Sequence, residues 1–140
     1  MSRNAAVGRI ARVLLGFYRA VSTGDISSIE RMISSDNAAL TIGTDPQEWW
    51  RGEEVYRAFR EQLKAMGGKM EVKPGNPEAY GQGEVGWVAD RPSFVLPDGT
   101  ETPFRLSAVF VKERGGWKAI QTHMSIGVPN IESMGMELPV

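Results

Sequence analysis

The 140-residue sequence contains no cysteine and a single histidine. Without cysteine the chain can form no disulfide, no thiolate metal site and no cysteine nucleophile. A metal site built from two histidines is excluded in the same way, and a catalytic triad would have to use His123. We therefore expect neither a metal nor a cofactor.

The sequence also lacks a surplus of one charge and any long apolar run. Its 16 basic and 17 acidic residues give a net charge of -1, so there is no basic stripe to neutralise a nucleic-acid backbone. No apolar run approaches the roughly 20 residues that span a bilayer. We expect a cytoplasmic protein that binds neither nucleic acid nor membrane, and its N-terminal stretch indicates a helix rather than a targeting segment.

The clearest structural signal is a C-terminal hairpin. Two apolar, β-branched runs, 102–113 and 117–126, flank a short loop with two glycines, which is typical of a β-hairpin. Upstream, residues 84–96 predict a strand with a bend at 90–92. Residues 69–80 contain two prolines, which suit an edge strand or a broken strand.

The N-terminal half has a helical period. Apolar residues recur at three- and four-residue steps between 7 and 21, a second helix follows Asp25 as its N-cap, and a third runs from Glu53 to the glycines 67 and 68. A short strand is predicted at 38–42. This order predicts a single α+β domain over 1–140, with three N-terminal helices on the concave face of a curved antiparallel sheet that forms a cone. The tail, 127–140, has no clear period, and we expect it to cover the body or a second subunit.

Two stretches carry a family resemblance. They are Gly43–Gly52 (GTDPQEWWRG) and Gly116–Ser125 (GWKAIQTHMS), the latter with a Trp followed by His-x-Ser. With the element order, they resemble the nuclear transport factor 2-like superfamily, and within it the SnoaL-like group of bacterial proteins, over Ala5 to Pro129. The resemblance implies a homodimer formed through the sheet. It does not choose an activity, because this scaffold hosts isomerases, cyclases, dehydratases, epoxide hydrolases, transport factors and oligomerisation modules.

The last strand presents two sets of side chains. Alternation places Trp117, Ala119, Gln121, His123 and Ser125 on one face and Ile120, Thr122, Met124 and Ile126 on the other. The second set is more apolar and is expected to line the concave side. His123 would then lie on the convex side, as an interface or structural residue.

The candidate catalytic residues are Asp90 and His123. Enzymes on this scaffold use a pocket carboxylate, whose pKa rises on burial. Asp90 precedes Arg91, a pair similar to the charged site of the epoxide hydrolases in the superfamily. Neighbours on a strand point in opposite directions, however, so both enter a pocket only at a bulge. The alternative is a solvated turn beside a strand break.

An apolar pocket is expected in the mouth of the cone. Asp45 and Glu48 should lie near this mouth, where they would cap a short turn. Two hypotheses remain open: a dimeric module that binds a small hydrophobic or aromatic ligand, and a cofactor-free isomerase, cyclase or dehydratase. The residues predicted to line the pocket are Trp49, Tyr56, Phe59, Trp87, Phe104, Phe110, Thr122 and Met124.

Overall fold

A computed structural model describes the backbone of residues 3–140 and the side chains from residue 7 onward; Met1 and Ser2 of the predicted domain lie outside the described residues. The described helices are α1 (Arg3–Thr23), α2 (Ile26–Met32), α3 (Glu53–Ala65) and α4 (Asn130–Met134). The strands are β1 (Leu40–Ile42), β2 (Trp49–Arg51), β3 (Glu71–Lys73), β4 (Glu78–Gln82), β5 (Val85–Asp90), β6 (Ser93–Val95), β7 (Glu101–Pro103), β8 (Arg105–Glu113) and β9 (Gly116–Ser125).

Helix α1 packs on the sheet through one apolar stripe. Ile10, Leu14, Tyr18 and Val21 are each at most 2% exposed, as their helical spacing predicts. A Cβ atom added at Gly86 of β5 would overlap the side chain of Ile10. The helix therefore approaches this strand as closely as a glycine allows.

The other two predicted helices begin and end where the sequence indicates. The carboxylate of Asp25 accepts a hydrogen bond from the backbone N–H of Ser28 at 3.1 Å, which caps α2. Helix α3 begins at Glu53 and is followed by Gly67 and Gly68, whose φ angles are 82° and 100°. Those angles favour glycine, which closes the helix. In residues 3–140 no helix has the length and apolar character of a membrane span.

The strands form two sheets. The larger has the order β2-β1-β9-β8-β5-β4, with antiparallel pairs except for the parallel pair of β1 and β9. The smaller has the order β3-β6-β7. Helices α1, α2 and α3 cover one side of the strands. The predicted α+β fold with a curved sheet is confirmed.

The strands are shorter and more numerous than the sequence predicts. The predicted strand 84–96 breaks at Arg91 and Pro92 into β5 and β6, which belong to different sheets. The predicted strand 102–113 divides at Phe104 into β7 and β8. The break at Pro92 has a physical cause, because proline has no N–H to donate to a continuing ladder.

The sequence does not predict strand β2, which forms an antiparallel pair with β1. Trp50 lies opposite Thr41, which is 3% exposed, and is itself half-buried. Trp49 lies opposite Ile42 on the other side of the sheet and is 55% exposed. The two tryptophans thus point in opposite directions, as adjacent strand residues must.

Strand β9 changes sides at a bulge. Its register against β8 shifts by one residue at Ile120, which has no partner across the ladder. Trp117 and Ala119 therefore belong to the same core as Met124, with Thr122 also buried. Simple alternation places Trp117 and Ala119 on the convex side, and that prediction is wrong because one inserted residue inverts the alternation.

The C-terminal tail remains outside the core of this chain. Helix α4 has no buried residue. Four apolar residues of the tail are 45–56% exposed: Ile131, Met134, Met136 and Leu138. The tail therefore does not cover the body of its own chain. The other predicted position, on a second subunit, stays a prediction.

Candidate functional site

An apolar cavity of about 290 Å³ lies between helices α1 and α3 and the two sheets. The cavity is lined by Phe17, Tyr18, Val21, Gly43, Thr44, Glu48, Trp50, Phe59, Gln62, Ala65, Met66, Met70, Val72, Phe94, Phe104, Leu106 and Met124.

Two aromatic pairs form much of the cavity wall. The rings of Phe94 and Phe104 are stacked, with centroids 3.9 Å apart and planes 8° apart. Phe17 and Phe59 meet edge to face at 5.7 Å and 82°. Ring faces and edges of this kind offer favourable contacts to a further aromatic group.

Glu48 is the charged residue among the described side chains that line the cavity. Its Oε1 accepts a hydrogen bond from the backbone N–H of Asp45 at 2.7 Å, and the side chain of Gln62 donates to its Oε2. Asp45 in turn accepts the N–H of Gln47 at 2.9 Å. Asp45 and Glu48 therefore hold the turn before β2, as predicted, and Glu48 also presents a negative charge to the cavity.

Asp90 lies behind the cavity wall and is only 6% exposed. Its Oδ2 accepts hydrogen bonds from the Tyr18 hydroxyl at 2.8 Å and the Gly75 N–H at 3.2 Å; its Oδ1 accepts the Arg91 N–H at 2.8 Å. The alternative of a solvated turn is thus wrong for Asp90. Arg91 is exposed, as opposite directions on a strand require.

Tyr18 connects this buried carboxylate to the cavity that it lines. Burial raises the pKa of Tyr18, and the hydrogen bond to Asp90 and the charge of Asp90 raise it further. The phenol therefore stays protonated at ordinary pH. It can present its oxygen to a ligand, but it is poorly suited to act as a base.

Five of the eight predicted pocket residues lie outside the cavity or on a separate one. Phe59, Phe104 and Met124 line the cavity. Phe110 and Thr122 line a smaller space of about 20 Å³ beneath it. The other three predicted residues, Trp49, Tyr56 and Trp87, line neither of these two spaces.

A local contact or the strand direction explains why each of these three side chains points away from the cavity. The Tyr56 hydroxyl donates to the backbone carbonyls of Ile33 and Ser34, which holds the ring between α2 and α3. Trp87 alternates with inward-facing neighbours on β5, so it points outward, is 41% exposed and stacks on Tyr80. Trp49 points outward for the same reason on β2.

His123 is exposed on the convex side, as predicted. It borders a shallow depression that Asp90, Arg91 and Arg105 also line. The two candidate catalytic residues thus approach the same outer depression, while neither lines the apolar cavity.

Sequence patterns miss several residues that close the cavity. Trp50 replaces Trp49 there, Val72 and Phe94 enter from the small sheet, and Met70 lies just before β3. The pairing of β3 with β6 places Val72 directly opposite Phe94. The local signal for Met70 and Val72 is an apolar residue between charged neighbours.

A model of the SnoaL-like domain matches residues 10–129. The chain belongs to the SnoaL-like domain family. It is thereby a member of the nuclear transport factor 2-like superfamily, as the two sequence motifs predict. A comparison with curated proteins finds no significant match for this SnoaL-like domain.

Solved structures share the fold at low sequence identity. A nuclear transport factor 2-like protein of unknown function from Pseudomonas putida KT2440 is 17% identical, with a TM-score of 0.82 over 99% of this chain and 96% of that one. A protein with a cystatin-like fold from Caulobacter vibrioides is 18% identical (TM-score 0.75, 92% and 94% covered). A proposed dehydratase from Streptomyces avermitilis is 14% identical (TM-score 0.77, 89% and 98% covered).

Proposed function

We propose that this SnoaL-like domain binds a small hydrophobic or aromatic ligand in its apolar cavity. The observation that carries the proposal is the lining, in which aromatic and aliphatic side chains surround the space and Glu48 is the charged group described there. Apolar ligands gain free energy in proportion to the surface they remove from water. A volume of about 290 Å³ lies at the lower end of the range for ligand pockets, which favours one or two fused rings.

The polar groups at the cavity narrow the class of ligand. The carboxylate of Glu48 is an acceptor, and the Tyr18 hydroxyl already donates its proton to Asp90. Both groups therefore favour a ligand that carries a donor, such as a hydroxyl or an amine, and disfavour a carboxylic acid. We expect a neutral or cationic ligand.

A fluorescent probe tests this proposal. 1-Naphthylamine is neutral at pH 7, has two fused rings and carries N–H donors, and its emission shifts to shorter wavelength in an apolar site. We expect saturable binding by the wild type and strongly reduced binding by Ala65→Trp, which fills the cavity mouth. Lys64→Trp adds the same side chain one position away, outside the lining, and should bind as the wild type does. Equal binding by both variants would contradict the proposal.

We also propose that the protein is a homodimer that joins through the convex side of its large sheet. Trp87 pairs across the ladder with Val109 on one side and Tyr80 on the other, so three strands contribute one apolar row. Trp87, Tyr80 and the neighbouring Val85 are each more than 40% exposed. An apolar patch of this kind is typical of an interaction surface.

The cytoplasmic location of the protein stays a prediction.

The second candidate function is a cofactor-free isomerase, cyclase or dehydratase. The Tyr18 hydroxyl at the cavity favours it, because this group could stabilise a developing enolate by turning its proton from Asp90 to the substrate oxygen. The proposed dehydratase of similar fold points the same way. Against it stands the geometry, since Tyr18 separates Asp90 from the cavity.

Proton exchange distinguishes the two functions. The ketone 2-tetralone is small, apolar and has acidic α-protons, whose exchange with D₂O can be followed by NMR. The enzyme hypothesis predicts exchange faster than in buffer and a loss of that acceleration in Tyr18→Phe. The binding proposal predicts that 2-tetralone displaces the naphthylamine probe while its exchange rate stays at the buffer value.

A further inference from the structure

A second depression, to which four basic side chains contribute, lies apart from the apolar cavity. It has a volume of about 580 Å³ and shares no lining residue with that cavity. Three elements meet there: the N-terminal half of α1, the last turn of α2 and the turn that leads into β9. We call it the basic depression and define it by Arg9, Arg12, Arg31, Trp117 and Lys118.

Four cationic groups line the basic depression. Among the described side chains no carboxylate lies within 4.0 Å of Arg9, Arg12, Arg31 or Lys118. Arg31 donates to the hydroxyl of Ser28 at 2.8 Å, and Lys118 donates to the backbone carbonyl of Arg31. These partners are uncharged, and the Ser28 hydroxyl in turn donates to the carboxylate of Asp25. In a chain with a net charge of -1, such a concentration of positive charge creates a local field that attracts anions.

Trp117 provides an independent sign of a missing partner. The residue is 6% exposed, and its Nε1–H has no hydrogen-bond acceptor within the described part of the chain. Buried N–H groups are nearly always paired, since an unpaired one loses its hydration without compensation. Trp117 lines the basic depression. An acceptor that reached the indole from the depression would satisfy this N–H.

We propose that the basic depression binds a small molecule through a phosphate or sulfate group, with the guanidinium groups as ligands and the Trp117 N–H as a further donor. Guanidinium groups match an oxyanion with two parallel hydrogen bonds, and lysine adds a point charge. The volume exceeds that of a single oxyanion, so the ligand carries a polyphosphate or an organic group as well. This site is independent of the ligand proposed for the apolar cavity.

The indole N–H resonances test the site directly. The chain has four tryptophans, whose signals in a ¹H–¹⁵N correlation spectrum can be assigned by Trp49→Phe, Trp50→Phe and Trp87→Phe. We expect pyrophosphate to shift the Trp117 signal in a saturable manner and to leave those of Trp49 and Trp87 unchanged. Titrations with inorganic phosphate and with sulfate then show which oxyanion shifts the Trp117 signal at the lower concentration. Sodium chloride at equal ionic strength is the control.

Charge variants then locate the site. Arg9→Gln and Arg12→Gln change exposed side chains and should each weaken pyrophosphate binding about tenfold or more. Arg57→Gln removes an equal charge from an exposed position on α3, outside the basic depression, and should bind as the wild type does. The proposal is overturned if chloride reproduces the shift, if the Trp117 signal stays fixed, or if Arg57→Gln weakens binding as much as Arg12→Gln.

Discussion

Tyr18 and Asp90 form a buried hydrogen bond between side chains 72 positions apart in the sequence. The bond joins α1 to the end of β5, where the large sheet gives way to the small one. The backbone N–H groups of Gly75 and Arg91 donate to the same carboxylate, so three donors hold Asp90 in place. The Tyr18–Asp90 pair therefore stabilises the fold, independently of any ligand in the cavity.

Removing the Tyr18 hydroxyl should destabilise the protein. Tyr18→Phe leaves the buried carboxylate one donor short, and we expect the free energy of unfolding to fall by about 1.5–3 kcal/mol. Urea denaturation measures the change. The matched control is Tyr80→Phe, which removes the same hydroxyl from a ring that is 47% exposed in the single chain. Because the apolar ring stays in place for the proposed dimer contact, its effect should stay within about 0.5 kcal/mol. Equal effects of the two substitutions would show that the hydrogen bond contributes nothing.

The same residue predicts a pH dependence in alkali. The folded state raises the pKa of Tyr18 above the ordinary value of 10.0, so it holds the phenolic proton more tightly than the unfolded chain does. The resulting stabilisation is complete below pH 10 and is lost as the pH rises further. Relative to Tyr18→Phe, wild-type stability should fall above pH 10 by up to about 1.4 kcal/mol per pH unit. Urea denaturation between pH 8 and 11 tests this, and parallel curves would contradict it.

At the scale of elements, the contact between α1 and β5 depends on one glycine. We expect Gly86→Ala to cost about 1–3 kcal/mol, because the new Cβ would overlap the side chain of Ile10. Gly8→Ala, on the same helix, is the control. Its Cβ would have only an arginine side chain near it, at 3.7 Å, and alanine is the better helix former by about 1 kcal/mol. The melting temperature should therefore fall in Gly86→Ala and rise in Gly8→Ala.

The helices were predictable and the strands only in part. The period of α1 and the cap of α2 are local signals, because the residues that specify them lie within one or two turns. The division of 84–96 into β5 and β6 depends on which sheet each half joins, and that is a long-range choice. The bulge at Ile120 has no local signal either, yet it moves Trp117 from the convex side of the sheet to the core.

At the scale of the whole molecule, the proposed dimer has a direct test. Wild-type protein should sediment at twice the 15.4 kDa of the chain. Trp87→Glu places a charge in the apolar row of the convex side and should give monomers, because a buried unpaired charge is strongly unfavourable. Leu96→Glu changes a residue of similar exposure in the turn between β6 and β7 and should remain dimeric. A wild type that sediments as a 15.4 kDa species at micromolar concentration would refute the dimer.

The sequence indicated the kind of site, an apolar pocket, but not most of the residues that line it. An apolar pocket follows from the fold, and Phe59, Phe104 and Met124 line it as expected. Trp49 and Trp87 have the right chemistry but point to the other side of their strands. A single-residue difference in register decides such cases, because side chains alternate with a period of two.

The sequence by itself determined the family, the three N-terminal helices, the C-terminal hairpin and the absence of cysteine chemistry. These properties rest on composition and on patterns between near neighbours. The tertiary structure alone decided that Asp90 is buried against Tyr18 and that Trp50 rather than Trp49 closes the cavity. It also decided that four basic side chains line one depression together with Trp117. Each of these depends on segments distant in sequence, whose contact is settled only when the whole core packs.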